Sequence, residues 1–121
     1  MIYIFEFLEV VLFITKYRYM LNDSEIEIVA ARFKILGESS RMKILRALFA
    51  GERCVSEIIE ETGLMQANVS KQLRILTEDN ILECRADGLR RIYKVIDPTV
   101  KEICKILCEA NIHNVLNNKE L

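Results

Sequence analysis

The stretch Gly63 to Leu82, GLMQANVSKQLRILTEDNIL, leaves the chain little conformational choice. Val69, Leu73 and Leu76 fall at i, i+4 and i+7, which puts them on one apolar face of a helix. The spacing predicts one helix over this stretch, entered from a turn at Gly63. At about 100° per residue, Ala67, Ser70, Lys71 and Arg74 point the opposite way. Gln66 and Asn68 sit in the first turn, and Gln72 joins the same candidate set. The one acid on this exposed face, Glu78, stands at its far end. Amides can read adenine edges bidentately, and Arg or Lys can read guanine edges or grip phosphate. This face therefore suits a recognition helix in a major groove, although an ordinary surface helix fits the segment equally well in isolation.

The rest of the chain narrows that choice. With 121 residues there is room for one core. The net charge is −1, so any nucleic-acid contact has to come from a local basic patch. Four cysteines, Cys54, Cys84, Cys104 and Cys108, and no secretory signal place the chain in a reducing cytoplasm. There, free thiols, metal ligands or redox groups are expected before disulfides. His113 is the sole imidazole, and there is no glycine loop to cradle a phosphate. No acid, base and nucleophile assemble, so an enzyme is not expected.

Residues 1–20, MIYIFEFLEVVLFITKYRYM, are strongly apolar. The run Ile2 to Ile14 contains Glu6 and Glu9, and as a helix spans about 20 Å, short of a ~30 Å hydrocarbon layer. Lys16 and Arg18 follow the run, against the order of a signal peptide. The segment is expected to be an arm that packs on a partner subunit, or a start-site artefact with Met20 the natural start. Residues 21–121 form the domain proper.

Ser24 and Glu27 have capping-box spacing for a first helix of that domain, which Gly37 stops. Ile26, Val29, Ala30 and Phe33 give it a broad apolar stripe. Ser39 and Ser40 are expected to cap a second helix ending at Gly51, with Met42, Ile44, Leu45, Leu48 and Phe49 inward. Ser56 is expected to cap a short third helix, and its turn at Gly63 into the next helix has helix-turn-helix spacing. After Asn80 the period becomes 2. Leu82 to Ala86 alternates, Asp87-Gly88 signals a hairpin turn, and Leu89 to Val95 alternates back. This hairpin carries Arg85, Arg90, Arg91 and Lys94, the local basic patch that the net charge hides. Asp97 and Pro98 open a last helix. Its stripe of Val100, Ile103, Cys104, Leu107, Cys108 and Ile112 needs a cover, as does the first helix, and together they suggest a symmetric dimer.

Four helices, a basic hairpin and a closing helix make a winged helix-turn-helix: mainly α with a small β-hairpin, dimeric through its first and last helices. The sequence resembles the ArsR family of small metal- and thiol-responsive repressors. The likeness rests on Leu36, Gly37 and Arg41 at the entry to the second helix. It also rests on Val69, Ser70, Leu73 and Leu76 in the recognition helix, and on Gly88, Arg90, Arg91 and Tyr93 in the wing. It covers residues ~24 to ~112, outside the apolar arm. Met65 stands where the family commonly has a small polar cap, and Met cannot cap by its side chain. The arsenic-sensing members carry Cys-Val-Cys at the start of the third helix, where this chain has Cys54-Val55-Ser56. Zinc-sensing members place Asp and His at the start of the last helix. Here Asp97 is followed by Pro98 and Thr99, so a His-rich zinc site is not expected. Persulfide-sensing members pair a second-helix Cys with one in the last, and here Arg46 fills the second-helix place.

Cys104 and Cys108 are i, i+4 on one helix, so both sulfurs can face one soft ion, with Cys54 as a third thiolate from the same or the partner subunit. Three sulfurs suit As(III), Cd(II) or Pb(II). Buried free cysteine is equally often plain packing. The resemblance implies a homodimeric repressor that binds double-stranded DNA at a palindromic operator, away from any membrane. Its expected DNA contacts are Gln66, Ala67, Asn68, Ser70, Lys71, Gln72, Arg74, Arg85, Arg90 and Arg91. An inducer acting on thiols or as a soft metal is expected to release it. The competing expectations are an adaptor that keeps the winged fold without DNA contact, and a regulator whose cysteines respond to redox or persulfide.

Overall fold

The computed structural model describes the backbone of residues 2–119 and the side chains of 4–16, 21–110, 114 and 116–118. His113, Ile112, Arg18 and Met20, all named above, have side chains outside the described residues. The order of elements is α1 (Ile2–Met20), α2 (Asp23–Leu36), α3 (Ser39–Phe49), β1 (Arg53–Cys54), α4 (Val55–Thr62), α5 (Gln66–Glu78), β2 (Leu82–Asp87), β3 (Arg90–Val95) and α6 (Pro98–Lys119). The chain divides into two compact units, Met1–Leu36 and Gly37–Leu121.

In the first unit, α1 is a helix whose described side chains, 4–16, are all exposed. The cap of α2 lies two residues earlier than the Ser24–Glu27 spacing predicts. Asn22 Oδ1 accepts from Glu25 N–H at 2.9 Å, and Glu25 Oε2 accepts from Asn22 N–H at 2.8 Å. This is the same reciprocal box, built on Asn22, another of the helix-start residues at this point of the chain. Ile26, Val29 and Phe33 of α2 remain exposed.

The second unit holds the core. α3 contributes Ile44, Leu45 and Leu48, α4 contributes Ile58, and α5 contributes Val69, Leu73 and Leu76, all buried. Full burial of such a side chain contributes about 1.5–3 kcal/mol, so three on one face hold α5 against α3 and α4. Ile81, Leu82, Ile92, Val100 and Cys104 close the core from the wing and α6. α3 is capped by Glu38 and not by Ser39 or Ser40. Its carboxylate accepts from the backbone N–H of Ser40 (3.1 Å) and of Arg41 (2.9 Å). α4 starts one residue before Ser56, with Cys54 at the cap position and its N–H donating to Glu57 Oε1 at 3.1 Å.

The connection from α4 to α5 is three residues, Gly63 to Met65. Gly63 takes φ +70 and donates to Ile59 O at 2.9 Å, a left-handed stop that suits glycine. α5 ends at Glu78, four residues short of the helix that the apolar period implied. Asn80 adopts φ +58, Asn80 N–H donates to Thr77 O, and Ile81 N–H donates to Leu76 O. That is a Schellman end, and the buried pair Ile81 and Leu76 supplies its apolar contact. Ile81 and Leu82 are core residues in both readings, so hydrophobicity alone could not mark where the helix stopped.

The hairpin is present, with Asp87 paired to Arg90 and Leu82 to Val95. Its two turn residues are Gly88 and Leu89, and of these only Gly88 has positive φ, the pattern of a type II′ turn. The sheet has a third strand. β1 pairs antiparallel with β3, Arg53 opposite Tyr93 and Cys54 opposite Ile92, giving the order β1-β3-β2. Two residues carry no periodicity of their own, and only the pairing makes them a strand. α6 begins as expected, with Asp97 Oδ1 accepting from Thr99 N–H at 2.9 Å. Val100 and Cys104 face the core, while Ile106, Leu107 and Cys108 are exposed.

Candidate nucleic-acid interface

The buried stripe of α5 fixes which side chains point outward. Gln66, Ala67, Ser70, Lys71 and Arg74 are exposed. Lys71 and Arg74 make no ion pair or hydrogen bond among the described residues. The start of α5 lacks a side-chain cap, since Met65 occupies that place and is exposed. Its first backbone N–H groups therefore remain open to an incoming acceptor, and the helix dipole favours a negative one.

Two of the expected contacts have another task. Gln72 is 6% exposed. Its Nε2 donates to Asn68 Oδ1 at 2.9 Å, and its Oε1 accepts from Arg41 Nη1 at 2.9 Å. Asn68, half-buried, also donates to Ser40 Oγ at 3.1 Å. The network Ser40–Asn68–Gln72–Arg41 fastens the outward-facing helix to α3, and Gln72 is a packing residue and not a member of the exposed face. Arg41, which the family likeness marked only as a motif position, has a stated job here. The i, i+4 amide pair Asn68 and Gln72 was the available signal, because side chains at that spacing meet.

The wing arginines are engaged as well. Arg85 pairs with Glu52 at 2.9 Å, and Arg90 Nη2 donates to Glu57 Oε1 and to Cys54 Sγ, each at 3.1 Å. The contact with Arg85 holds the Glu52 carboxyl below its usual range. Arg91 and Lys94 are exposed and have no such partner among the described residues, and Leu89 stands fully exposed at the wing tip. Glu52 and Glu57 escaped the sequence reading because they lie more than thirty positions from the arginines they hold.

The cysteines fall in three places. Cys54 is buried at the root of the wing, with Sγ 3.1 Å from Ser56 Oγ. The neighbouring Glu57 carboxylate pushes its thiol pKa up, but hydrogen bonds from Ser56 and Arg90 outweigh it, and the thiol ends below the ordinary range. Cys104 and Cys108 line one cavity between α3 and α6. Burial, and then Cys108 beside it, raises the Cys104 thiol. Cys84 lies on β2 opposite Tyr93. Among the described residues no three His, Cys, Asp or Glu side chains gather at metal-binding distance.

The family model described as "Bacterial regulatory protein, arsR family" matches residues 38–83, from the cap of α3 into the first strand of the wing. An uncharacterised HTH-type transcriptional regulator of Methanocaldococcus jannaschii is 37% identical over 84 residues, which cover 69% of this chain and 94% of that protein. The chain belongs to the ArsR family of regulators. ArsR relatives with a stated role include an arsenical resistance operon repressor of Staphylococcus aureus, 30% identical over 71% of this chain and 80% of that one. A probable mercury resistance operon repressor of Streptomyces lividans is 34% identical over 59% of this chain and 57% of its own length. Among solved structures, a Mycobacterium tuberculosis protein superposes with TM-score 0.71 at 27% identity, covering 83% of this chain and all of that one. The homodimeric winged helix-turn-helix DNA-binding domain of a Mycobacterium bovis protein gives 0.67 at 25%, covering 80% and 93%. ArsR proteins are DNA-binding transcriptional regulators, not enzymes, and this chain has their winged helix-turn-helix. No helix among the described residues is long and apolar enough to cross a membrane.

Proposed function

We propose that this ArsR-family chain is a cytoplasmic repressor that binds a palindromic operator as a homodimer and leaves it on meeting a soft-metal, metalloid or thiol-reactive inducer. The observation that carries the DNA reading is the outward face of α5, where Ser70, Lys71 and Arg74 stand together with no internal ion pair among the described residues. Gln66 and the uncapped helix start extend it, and Arg85, Arg90 and Arg91 place positive charge on the adjacent wing. The exposed apolar residues Ile26, Val29 and Phe33 of α2 and Ile106 and Leu107 of α6 support a dimer, since such stripes need a cover. Leu107→Glu puts a charge in that seam and is expected to shift sedimentation from dimer towards monomer.

For the inducer, the names of the Staphylococcus and Streptomyces relatives point to arsenicals and mercury. Cys104 and Cys108 offer two sulfurs at one cavity, and Cys54 offers a third, its thiol pKa held below the ordinary range where burial raises that of Cys104. Cys54, from the same or the partner subunit, completes a three-sulfur site with Cys104 and Cys108 for As(III), Cd(II) or Pb(II). Capture of the Cys54 sulfur takes an acceptor from Arg90, which links the inducer to the wing. The test is a mobility shift of reduced protein on the DNA upstream of its own gene, repeated with As(III), Cd(II), Pb(II) and a persulfide donor. A retarded complex with a protected palindrome is expected, released by one of the four; no protection of any palindromic site would refute the repressor. Cys54→Ser, Cys104→Ser and Cys108→Ser proteins that respond like wild type would remove the cysteines as sensor.

A further inference from the structure

The half-open cavity between α3 and α6 has a volume of about 450 Å³, within the range of pockets that hold small organic ligands. Its lining is apolar, with Met42 and Phe49 from α3 and Cys104 and Cys108 from α6. Lys43 and Arg46 on α3 and Lys101 and Lys105 on α6 line it as well, mainly through their alkyl stems, with the charged ends towards the rim. These four cations are exposed, none has an ion pair or hydrogen bond among the described residues, and no acid lines the cavity. The whole chain has a net charge of −1, so the concentration is local. Lys43 with Arg46 and Lys101 with Lys105 stand at i, i+3 and i, i+4, where like charges oppose helix formation. A bound anion relieves that repulsion on both walls at once. A small inorganic anion leaves the apolar lining uncovered, and a neutral apolar molecule leaves the charges unanswered.

We infer that this cavity binds a monomeric amphiphilic carboxylate, of the fatty-acid type, with the alkyl chain on Met42, Phe49 and Cys104 and the carboxylate among Lys43, Arg46, Lys101 and Lys105. Cys104 and Cys108 of the proposed inducer site line this same cavity, so a thiol-bound inducer and the carboxylate compete for it, and laurate binding by the Cys104→Ser and Cys108→Ser proteins separates the two readings. The site also has a route to the DNA-reading helix. The same α3 that forms one wall carries Ser40 and Arg41, which hydrogen-bond Asn68 and Gln72 of α5. A ligand that moves α3 moves the fastening of α5. Linkage then requires operator DNA to change the carboxylate's affinity by the same factor as the carboxylate changes that of DNA.

The chain has no tryptophan, so Phe49→Trp gives a single emission from the cavity lining. The full chain carrying Phe49→Trp is titrated with laurate below its micelle concentration, with dodecanol and with inorganic phosphate. Calorimetry of the wild-type chain with laurate runs in parallel and needs no variant. Saturable laurate binding with a blue shift is expected, with dodecanol and phosphate each at least tenfold weaker. Arg46→Gln with Lys105→Gln is expected to weaken laurate at least tenfold while leaving the circular dichroism spectrum unchanged. Equal binding of laurate and dodecanol overturns the proposal, leaving a plain apolar groove. So does phosphate binding as tightly as laurate. Capture by anionic vesicles without binding of monomeric laurate assigns the patch to a membrane surface and overturns it. An emission that follows protein concentration while laurate fails to bind assigns the face to a second copy and overturns it too.

Discussion

On α5, Lys71 and Arg74 stand free of ion pairs among the described residues, whereas on the wing Arg85 and Arg90 are each held by a carboxylate, Glu52 and Glu57. Both surfaces are basic, but they start from different states. A cation on α5 exchanges only water when it meets DNA. A wing arginine must first leave an internal partner, so the net gain from its DNA contact is smaller. Exposed pairs are individually weak, which keeps this exchange reversible. On the proposed DNA-binding reading, Arg85 and Arg90 are the adjustable contacts of the wing beside a committed α5, and Cys54, on the same arginine as Glu57, is placed to adjust one of them.

The largest expected effect tests the committed side. Arg74→Ala should cost about 1–3 kcal/mol of operator binding and relax sequence preference if Arg74 reads a base edge. Arg90→Ala should cost less, and lower the slope of log K against log[salt] by about 1 if Arg90 grips a phosphate. Salt-dependent mobility shifts on operator and scrambled DNA measure both, and equal losses from the two variants would erase the contrast.

Next is the platform that holds α5. Gln72→Ala removes one hydrogen bond each from Asn68 and Arg41 and should destabilise the fold by about 1–3 kcal/mol in urea melts. Once corrected for the folded fraction, its sequence preference should match wild type. A changed preference would return Gln72 to the set of DNA contacts.

Glu38 anchors α3 beneath that platform, and Glu38→Ala should cost about 1 kcal/mol, the usual worth of a helix cap. The cap also gives a pH signature. Backbone N–H groups of Ser40 and Arg41 hold the Glu38 carboxyl below its usual 4.5. A carboxyl with a depressed folded pKa contributes its stability above the unfolded value and loses it as pH falls through the folded one. The gap between wild type and Glu38→Ala in urea melts should therefore be full near pH 7 and close as pH drops below 4.5.

The smallest effect removes the contrast itself. Glu57→Gln frees Arg90 from its carboxylate and should tighten DNA binding by a few fold, with a steeper salt dependence. Weaker binding would mean that Glu57 positions Arg90 for DNA instead of restraining it.

Much of the site could be read in advance because it depends on local spacing. Val69, Leu73 and Leu76 are buried as their period requires, and that burial alone turns Ser70, Lys71 and Arg74 outward. The Asp97-Pro98 start, the Gly63 stop and the strands around Gly88 are likewise properties of a few adjacent residues. Tertiary structure decided whatever depends on partners distant in the chain. It gave Gln72 to Arg41, Arg85 to Glu52 and Arg90 to Glu57 and Cys54, and it made a strand of Arg53 and Cys54. The physical reason is range. Backbone periodicity and turn chemistry act over a few residues and are written in order along the chain. A hydrogen bond or ion pair needs only proximity in space, so an arginine that looks free in the sequence acquires its partner only when the fold closes.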